Sequence, residues 1–214
     1  MRHVFVVVCL LASVANAQSI SLFRAGPGSG AEFKKAGRTG WFALYRNRLV
    51  AAKLEVTPWR HPIDDDGKPD SVKTGVEVKL TGEEKLPLVL IRGMKPRAGL
   101  VAVSPDAEST GLYEFGKPVA LGQGASVTTK VADGGARLEL RVGEQTQTLF
   151  ASEESDVDGW SLRWAGDLDG DGKLDLLITA DTHYAIETFR LFLSTRAKKG
   201  QLVGEAAKLT SQGC

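Results

Sequence analysis

Residues 160–179 read WSLRWAGDLDGDGKLDLLIT and place an apolar segment, an acidic loop and a second apolar segment in direct succession. The flanking segments, residues 160–165 and 174–179, are short and rich in Trp, Leu and Ile, a composition typical of β-strands. The loop between them consists mainly of Asp and Gly, and its glycines favour a sharp reversal of the chain. The stretch therefore predicts a β-hairpin with an acidic loop at its tip.

The acidic loop has the spacing of a calcium site. Counted from Asp167, aspartates occupy the first, third, fifth and ninth positions, and Gly172 occupies the sixth. Ca²⁺ binds about six to eight oxygen atoms, and four clustered carboxylates repel one another unless a cation neutralises them. Zinc is disfavoured because the loop has no His or Cys, and Mg²⁺ uses fewer carboxylates. The loop predicts a Ca²⁺ site made of the side chains of Asp167, Asp169, Asp171 and Asp175 and the carbonyl of Lys173.

The sequence around this loop is similar to a known repeat. A helix–loop–helix calcium site would have Glu at the twelfth position, where this loop has Ile178. Residues 166–178, GDLDGDGKLDLLI, resemble the FG-GAP/VCBS repeat of integrin α-chain propellers and many bacterial exported proteins, and the resemblance covers residues 160–195. It implies a Ca²⁺ ion at a hairpin, held by the same four aspartates. The chain is too short for seven propeller blades, so the adhesive role of integrins is not implied.

A second, degenerate copy of the loop occurs in residues 61–70, HPIDDDGKPD. Pro62 stands where the first Asp would be and can offer only its carbonyl. Two interpretations stay open: a metal-free acidic turn, or a weak Ca²⁺ site completed by water. The candidate ligands of this second metal site are Asp64, Asp66, Lys68 and Asp70.

The remaining sequence predicts an all-β fold. Residues 76–80 and 138–142 alternate between apolar and charged residues, which places the apolar side chains on one face of a strand. Residues 86–91, LPLVLI, are continuously apolar, which is typical of a strand covered on both faces. Residues 200–211 could form a short helical turn, and their apolar residues do not decide between this and a strand. Further strands are predicted at residues 41–46, 49–57, 99–104, 126–132, 146–151 and 187–194.

Short strands separated by turn residues favour an antiparallel sandwich or a propeller-like sheet stack, with a calcium-binding β-hairpin loop. Residues 1–17 have the apolar run and the Ala15-Asn16-Ala17 ending of a signal peptide, so we expect cleavage near Ala17 and a secreted or periplasmic protein. Residues 18–40, rich in Gly and charged residues, predict a flexible N-terminal arm. We expect residues 41–214 to form a single β-rich domain.

The charge and the cysteine content of the chain indicate which kinds of partner it can have. The chain has 27 basic and 26 acidic residues, and loss of Arg2 with the signal peptide leaves 26 of each. We therefore expect no nucleic-acid binding, and no segment after the signal peptide is long and apolar enough to predict a membrane span. Cys9 leaves with the signal peptide, so Cys214 predicts a free thiol or an intermolecular disulfide.

These features favour an exported, non-catalytic calcium-binding β-domain in which Ca²⁺ stabilises the fold. Two alternatives stay open. A carbohydrate- or protein-binding module would present exposed tryptophans beside the loops. A calcium-dependent hydrolase would use His61 or His183, although neither a Gly-x-Ser-x-Gly nor a His-Glu-x-x-His motif is present. The tryptophans are Trp41, Trp59, Trp160 and Trp164.

Overall fold

β-Strands account for almost all regular structure in this computed structural model. It describes residues 19–29, 38–59, 75–83, 85–94, 99–100, 102–103, 110–111, 116–132, 135–152, 159–183 and 186–212. The first nine strands are β1 (Ser21–Phe23), β2 (Gly26–Ser29), β3 (Trp41–Leu44), β4 (Arg48–Ala52), β5 (Leu54–Trp59), β6 (Gly75–Leu80), β7 (Val89–Arg92), β8 (Gly99–Leu100) and β9 (Ala102–Val103). The others are β10 (Thr110–Gly111), β11 (Val119–Gly122), β12 (Ala125–Ala132), β13 (Gly135–Val142), β14 (Gln145–Ser152), β15 (Gly159–Asp167), β16 (Asp175–His183), β17 (Ile186–Leu193) and β18 (Gly204–Gln212).

The strands form four antiparallel sheets. Sheet A has the order β1-β7-β3-β4-β8, and sheet B has the order β2-β6-β5. Sheet C has the order β10-β15-β16-β17-β18, with β9 also paired to β15, and sheet D has the order β11-β12-β13-β14. Between β17 and β18 the chain makes one 3₁₀ turn, Ser194–Arg196. Among the described residues, no helix is long and apolar enough to cross a membrane.

Three apolar clusters show how the sheets stack. One joins sheet D to sheet C, a second joins sheet C to sheet A, and a third joins sheet A to sheet B. In β16, Leu176 and Ile178 belong to the first cluster and Leu177 to the second, because alternate side chains of a strand point to opposite faces. Sheet C is therefore an inner layer covered on both faces, and the prediction of an all-β sheet stack is confirmed.

Trp164 connects two of these layers. Its side chain is fully buried in β15, and its indole N–H donates a 3.0 Å hydrogen bond to the carbonyl of Arg46. A buried tryptophan needs such a partner because an unpaired N–H in an apolar core destabilises the fold. The contact fixes the half of β15 next to the acidic loop against the turn between β3 and β4 of sheet A.

Most of the predicted strands are confirmed, with shifted ends. Val89 and Ile91 of β7 lie in one apolar cluster and Leu90 in another, so this strand is covered on both faces as its sequence predicts. The predicted strand 49–57 is divided between β4 and β5. The predicted strand 99–104 is described as the two short strands β8 and β9.

Two segments contain strands that their sequences did not indicate. The flexible arm predicted at residues 18–40 contains β1, paired with β7, and β2, paired with β6; residues 30–37 lie outside the described part. The apolar side chains of Leu22 and Phe23 bury β1, and the pairing of β2 depends on its main chain more than on its Gly-rich sequence. The helical turn left open at residues 200–211 is replaced by β18, which pairs with β17 and so satisfies its backbone groups.

Candidate metal centre

The acidic loop lies at the tip of the hairpin formed by β15 and β16. The two strands pair from Gly159 opposite Asp181 to Gly166 opposite Asp175, and the chain reverses between these ends. Gly170 and Gly172 have φ angles of 82° and 79°, in the left-handed region that side chains with a Cβ rarely adopt. The glycines predicted to allow the sharp turn therefore serve that purpose.

Asp167 shapes the loop through its own carboxylate. Its Oδ1 accepts the backbone N–H of Gly170 at 2.8 Å and that of Asp171 at 3.1 Å, while its Oδ2 accepts the N–H of Gly172 at 2.9 Å. These three bonds orient consecutive loop amides towards one carboxylate, as in an Asx-turn. The first aspartate of the motif thus holds the loop in its turn conformation through hydrogen bonds within the protein.

Asp175 is the buried member of the set, with no exposed side-chain surface. Its Oδ2 accepts the N–H of Leu168 at 2.8 Å, and its Oδ1 accepts the N–H of Ser194 at 2.8 Å. Burial first, and then the nearby charge of Asp169, raise the pKa of this carboxyl, and hydrogen bonds from the backbone N–H groups of Ser194, Leu168 and Asp169 lower it. The net result is a pKa of about 7. A buried carboxylate with this environment favours a proton or a cation beside it.

Asp169 provides the observation that points most directly to an ion. Its Oδ2 accepts the hydroxyl of Thr195 at 2.6 Å, whereas its Oδ1 is buried and has no hydrogen-bond partner. One carboxylate oxygen from each of Asp167, Asp169 and Asp175 lies within 4.8 Å of the others. Three converging carboxylates, one with an unpaired buried oxygen, offer oxygen atoms of the kind that hard divalent cations prefer as ligands.

Asp171 and Lys173 lie outside this three-carboxylate group. Asp171 is exposed; its Oδ1 accepts the N–H of Lys173 at 2.8 Å, and its Oδ2 accepts the hydroxyl of Ser194 at 2.7 Å. The side chain of Lys173 is exposed as well. The structure thus brings together three of the four predicted acidic ligands. The fourth, Asp171, instead accepts a hydrogen bond from Ser194 in the turn after β17.

Ser194 and Thr195 contact the acidic loop but were not predicted from the sequence. Both lie in the 3₁₀ turn that follows β17, and their hydroxyls bind the carboxylates of Asp171 and Asp169. The only signal in the sequence is a Ser-Thr pair directly after the apolar strand residues 191–193, which is a common way to end a strand. Their role becomes visible only when β16 and β17 are paired.

Other candidates are only partly described. His61 and the second acidic loop, with Asp64, Asp66, Lys68 and Asp70, lie outside the described residues, as do residues 1–17 and Cys214. The backbone of His183 ends β16, but its side chain is outside the description. Trp41, Trp160 and Trp164 are buried, and Trp59 is half-buried, so three of the four tryptophans belong to the core.

The hairpin and the strand after it match a known family. The family model of the FG-GAP repeat matches residues 159–191, which comprise β15, the acidic loop, β16 and most of β17. Residues 159–191 are therefore similar to an FG-GAP repeat. The resemblance stated for residues 160–195 is thereby confirmed for this part of the chain. No curated protein and no solved structure matches the chain. The matched segment contributes three adjacent strands to sheet C.

Proposed function

We propose that this chain is an exported, non-catalytic calcium-binding β-protein in which Ca²⁺ stabilises the FG-GAP hairpin. The proposal rests most strongly on the convergence of Asp167, Asp169 and Asp175, one carboxylate oxygen of each lying within 4.8 Å of the others. The buried Oδ1 of Asp169, which has no hydrogen-bond partner, supports it as well. The FG-GAP repeat is generally non-enzymatic, which favours a binding role over a catalytic one.

The residues present fit the proposed ion. The group offers carboxylate oxygens without His or Cys, which suits Ca²⁺ and disfavours zinc. Asp167, Asp169 and Asp175 would hold the ion, and the exposed Asp171 and the carbonyl of Lys173 are further oxygen donors of the same loop. A bound divalent cation would neutralise the repulsion that otherwise opposes the convergence of these carboxylates.

The position of the group explains why an ion would stabilise the fold. Asp175 and Asp169 already contact the turn after β17, so the loop and that turn meet at one end of sheet C. An ion held by the loop would therefore fix the ends of β15, β16 and β17 together. At free calcium near 100 times the dissociation constant, binding adds about 2.7 kcal/mol to the free energy of unfolding.

Calcium titration and thermal unfolding of the full chain test the proposal. We expect isothermal titration to show saturable Ca²⁺ binding, and calcium in place of EGTA to raise the melting temperature by roughly 5–10 °C. Asp169→Asn removes a charged oxygen donor and should weaken binding. Glu144→Gln is the matched control, because Glu144 is exposed and lies outside the hairpin. The proposal would be overturned if the unsubstituted chain showed no binding heat on calcium titration and no change of melting temperature between calcium and EGTA.

The export part of the proposal rests on the sequence of residues 1–17. Signal peptidase selects small residues before its cleavage site, as in Ala15-Asn16-Ala17. N-terminal sequencing of the protein recovered outside the cytoplasm should give a start near Gln18. Recovery of an uncleaved chain from the cytoplasm alone would contradict this part and leave the calcium test unaffected.

A further inference from the structure

A cavity of about 440 Å³ lies between sheet D and the tip of the FG-GAP hairpin. One side is formed by β11, β12 and β13, and the other by the acidic loop and by the segment that leads into β18. Small-molecule sites in proteins commonly have volumes of about 300–1,000 Å³ and mostly apolar walls with a few polar groups. The size of the cavity therefore suits a small organic molecule.

The interior of the cavity is apolar. Leu121 and Leu140 of sheet D form part of its wall, together with Leu174, Leu202 and Val203 from the opposite side. The same side chains belong to the apolar cluster between sheets C and D or pack against it. The cavity is thus an opening into that cluster, where an apolar body would remove further hydrocarbon surface from water.

The rim of the cavity carries the polar groups: Gln123, Asp167 and Lys173. The carboxylate of Asp167 already accepts three backbone N–H groups. The side chain of Lys173 is exposed, and its ammonium has no ion-pair partner among the residues that the structure describes. Its positive charge is therefore the one that a ligand at this rim can use, and it favours an anionic group.

We propose that this cavity binds a small molecule with a compact apolar body and one anionic group, with the body between Leu140 and Leu202 and the anion beside Lys173. Gln123 lies at the same rim and has a φ angle of 51°, a conformation that non-glycine residues seldom adopt. Its carboxamide can donate a second hydrogen bond to the anion. The proposed site borders the ion site, and Asp167 and Lys173 belong to both.

Two fluorescent probes with the same ring system test the proposal on the full chain. Anilinonaphthalene sulfonate carries one negative charge, and N-phenylnaphthylamine has the same apolar body without it. We expect both probes to bind saturably to the folded protein, and the anionic probe to bind about two- to fivefold more tightly. Cooperative thermal unfolding in the presence of the probe shows that the protein is folded when it binds.

Four variants distinguish probe binding in the cavity from probe binding elsewhere on the surface. Leu202→Trp fills the cavity and should weaken both probes about tenfold or more. Leu149→Trp is its matched control, because Leu149 is half-buried against the same apolar cluster but does not line the cavity. Lys173→Gln should remove the preference for the anionic probe, whereas Lys198→Gln, at an exposed residue that does not line the cavity, should preserve it.

Three results would overturn the proposal: no saturable binding, binding that Leu202→Trp leaves unchanged, or equal affinity for the charged and the neutral probe. The experiment is carried out in calcium and in EGTA. Failure of the calcium proposal would appear as no melting shift, whereas failure of the cavity proposal would appear as probe binding that is insensitive to Leu202→Trp. The two outcomes are therefore distinguishable.

Discussion

The carboxylate of Asp175 accepts the backbone N–H of Ser194 at 2.8 Å, across 19 positions of the chain. The same carboxylate accepts the N–H of Leu168 at the start of the loop. Asp175 thus joins the two ends of the acidic loop and the turn after β17 through one buried side chain. It has a structural role in the ion-free protein in addition to its proposed role as a ligand.

Replacement of Asp175 should destabilise the protein even without calcium. Asp175→Ala leaves the N–H groups of Leu168 and Ser194 buried without their acceptors, so we expect a loss of about 2 kcal/mol in the free energy of unfolding. The measurement is chemical denaturation in EGTA. Asp171→Ala is the control, because Asp171 is exposed, and it should cost about 1 kcal/mol or less. Equal losses in the two variants would contradict this role for Asp175.

Proton binding should oppose calcium binding at Asp175. Its pKa is raised from 3.8 to about 7 in the folded protein, so between these values the folded state holds a proton that the unfolded state has released. This group therefore lowers the stability of the ion-free protein as pH rises through that window, with the full cost reached above about pH 7.

Because a metal ion requires the deprotonated ligand, calcium affinity should rise over the same window and level off above about pH 7. Isothermal titration at several pH values measures this rise. In Asp175→Asn the residue no longer titrates, so the rise should be smaller than in the unsubstituted chain. An affinity that is constant from about pH 5 to pH 8 would count against the assignment.

Thr195 should control calcium affinity without being a proposed ligand. Its hydroxyl donates a 2.6 Å hydrogen bond to Oδ2 of Asp169 and leaves Oδ1 of that residue free for an ion. Thr195→Val preserves the side-chain shape but removes the donor, and we expect calcium affinity to fall about tenfold. Thr146→Val, at an exposed position on β14, is the control. Unchanged affinity in Thr195→Val would show that Asp169 is positioned by other contacts.

Gln147 should stabilise the segment that leads into β18. Its side-chain oxygen accepts the N–H groups of Leu202 and Val203, and its amide nitrogen donates to the carbonyl of Val203. Gln147→Ala leaves these partly buried groups unpaired and should lower the free energy of unfolding by about 1–3 kcal/mol. Gln145→Ala removes one exposed bond, to the carbonyl of Gly200, and should cost less. Chemical denaturation distinguishes the two; similar small losses would contradict the role of Gln147.

Local patterns in the sequence predicted the central hairpin correctly. The acidic spacing from Asp167 to Asp175 and the flanking apolar segments indicated a strand, a loop and a strand, and the structure has β15, the loop and β16. The continuous apolar residues of β7 indicated coverage on both faces, which the structure confirms. These features could be predicted because they depend on residues that are neighbours in the sequence. Alternation of apolar and polar residues determines which face of a strand a side chain is on, and glycine allows the chain to turn sharply.

The parts that the sequence did not reveal depend on distant partners. The Gly-Pro-Gly-Ser segment of β2 has no strand pattern, yet it pairs with β6 about fifty residues later. The residues after Leu193 gave no sign that Ser194 and Thr195 would contact the acidic loop.

By itself, the sequence determined the all-β class, the acidic hairpin and the set of acidic residues. Each of these features depends on residues that are close together along the chain. Only the tertiary structure decided that Asp167, Asp169 and Asp175 converge while Asp171 binds Ser194, and that a cavity opens beside Lys173. These relationships depend on which strands pair and which sheets pack, and that choice is made by hydrogen bonds and apolar contacts between residues far apart in the chain.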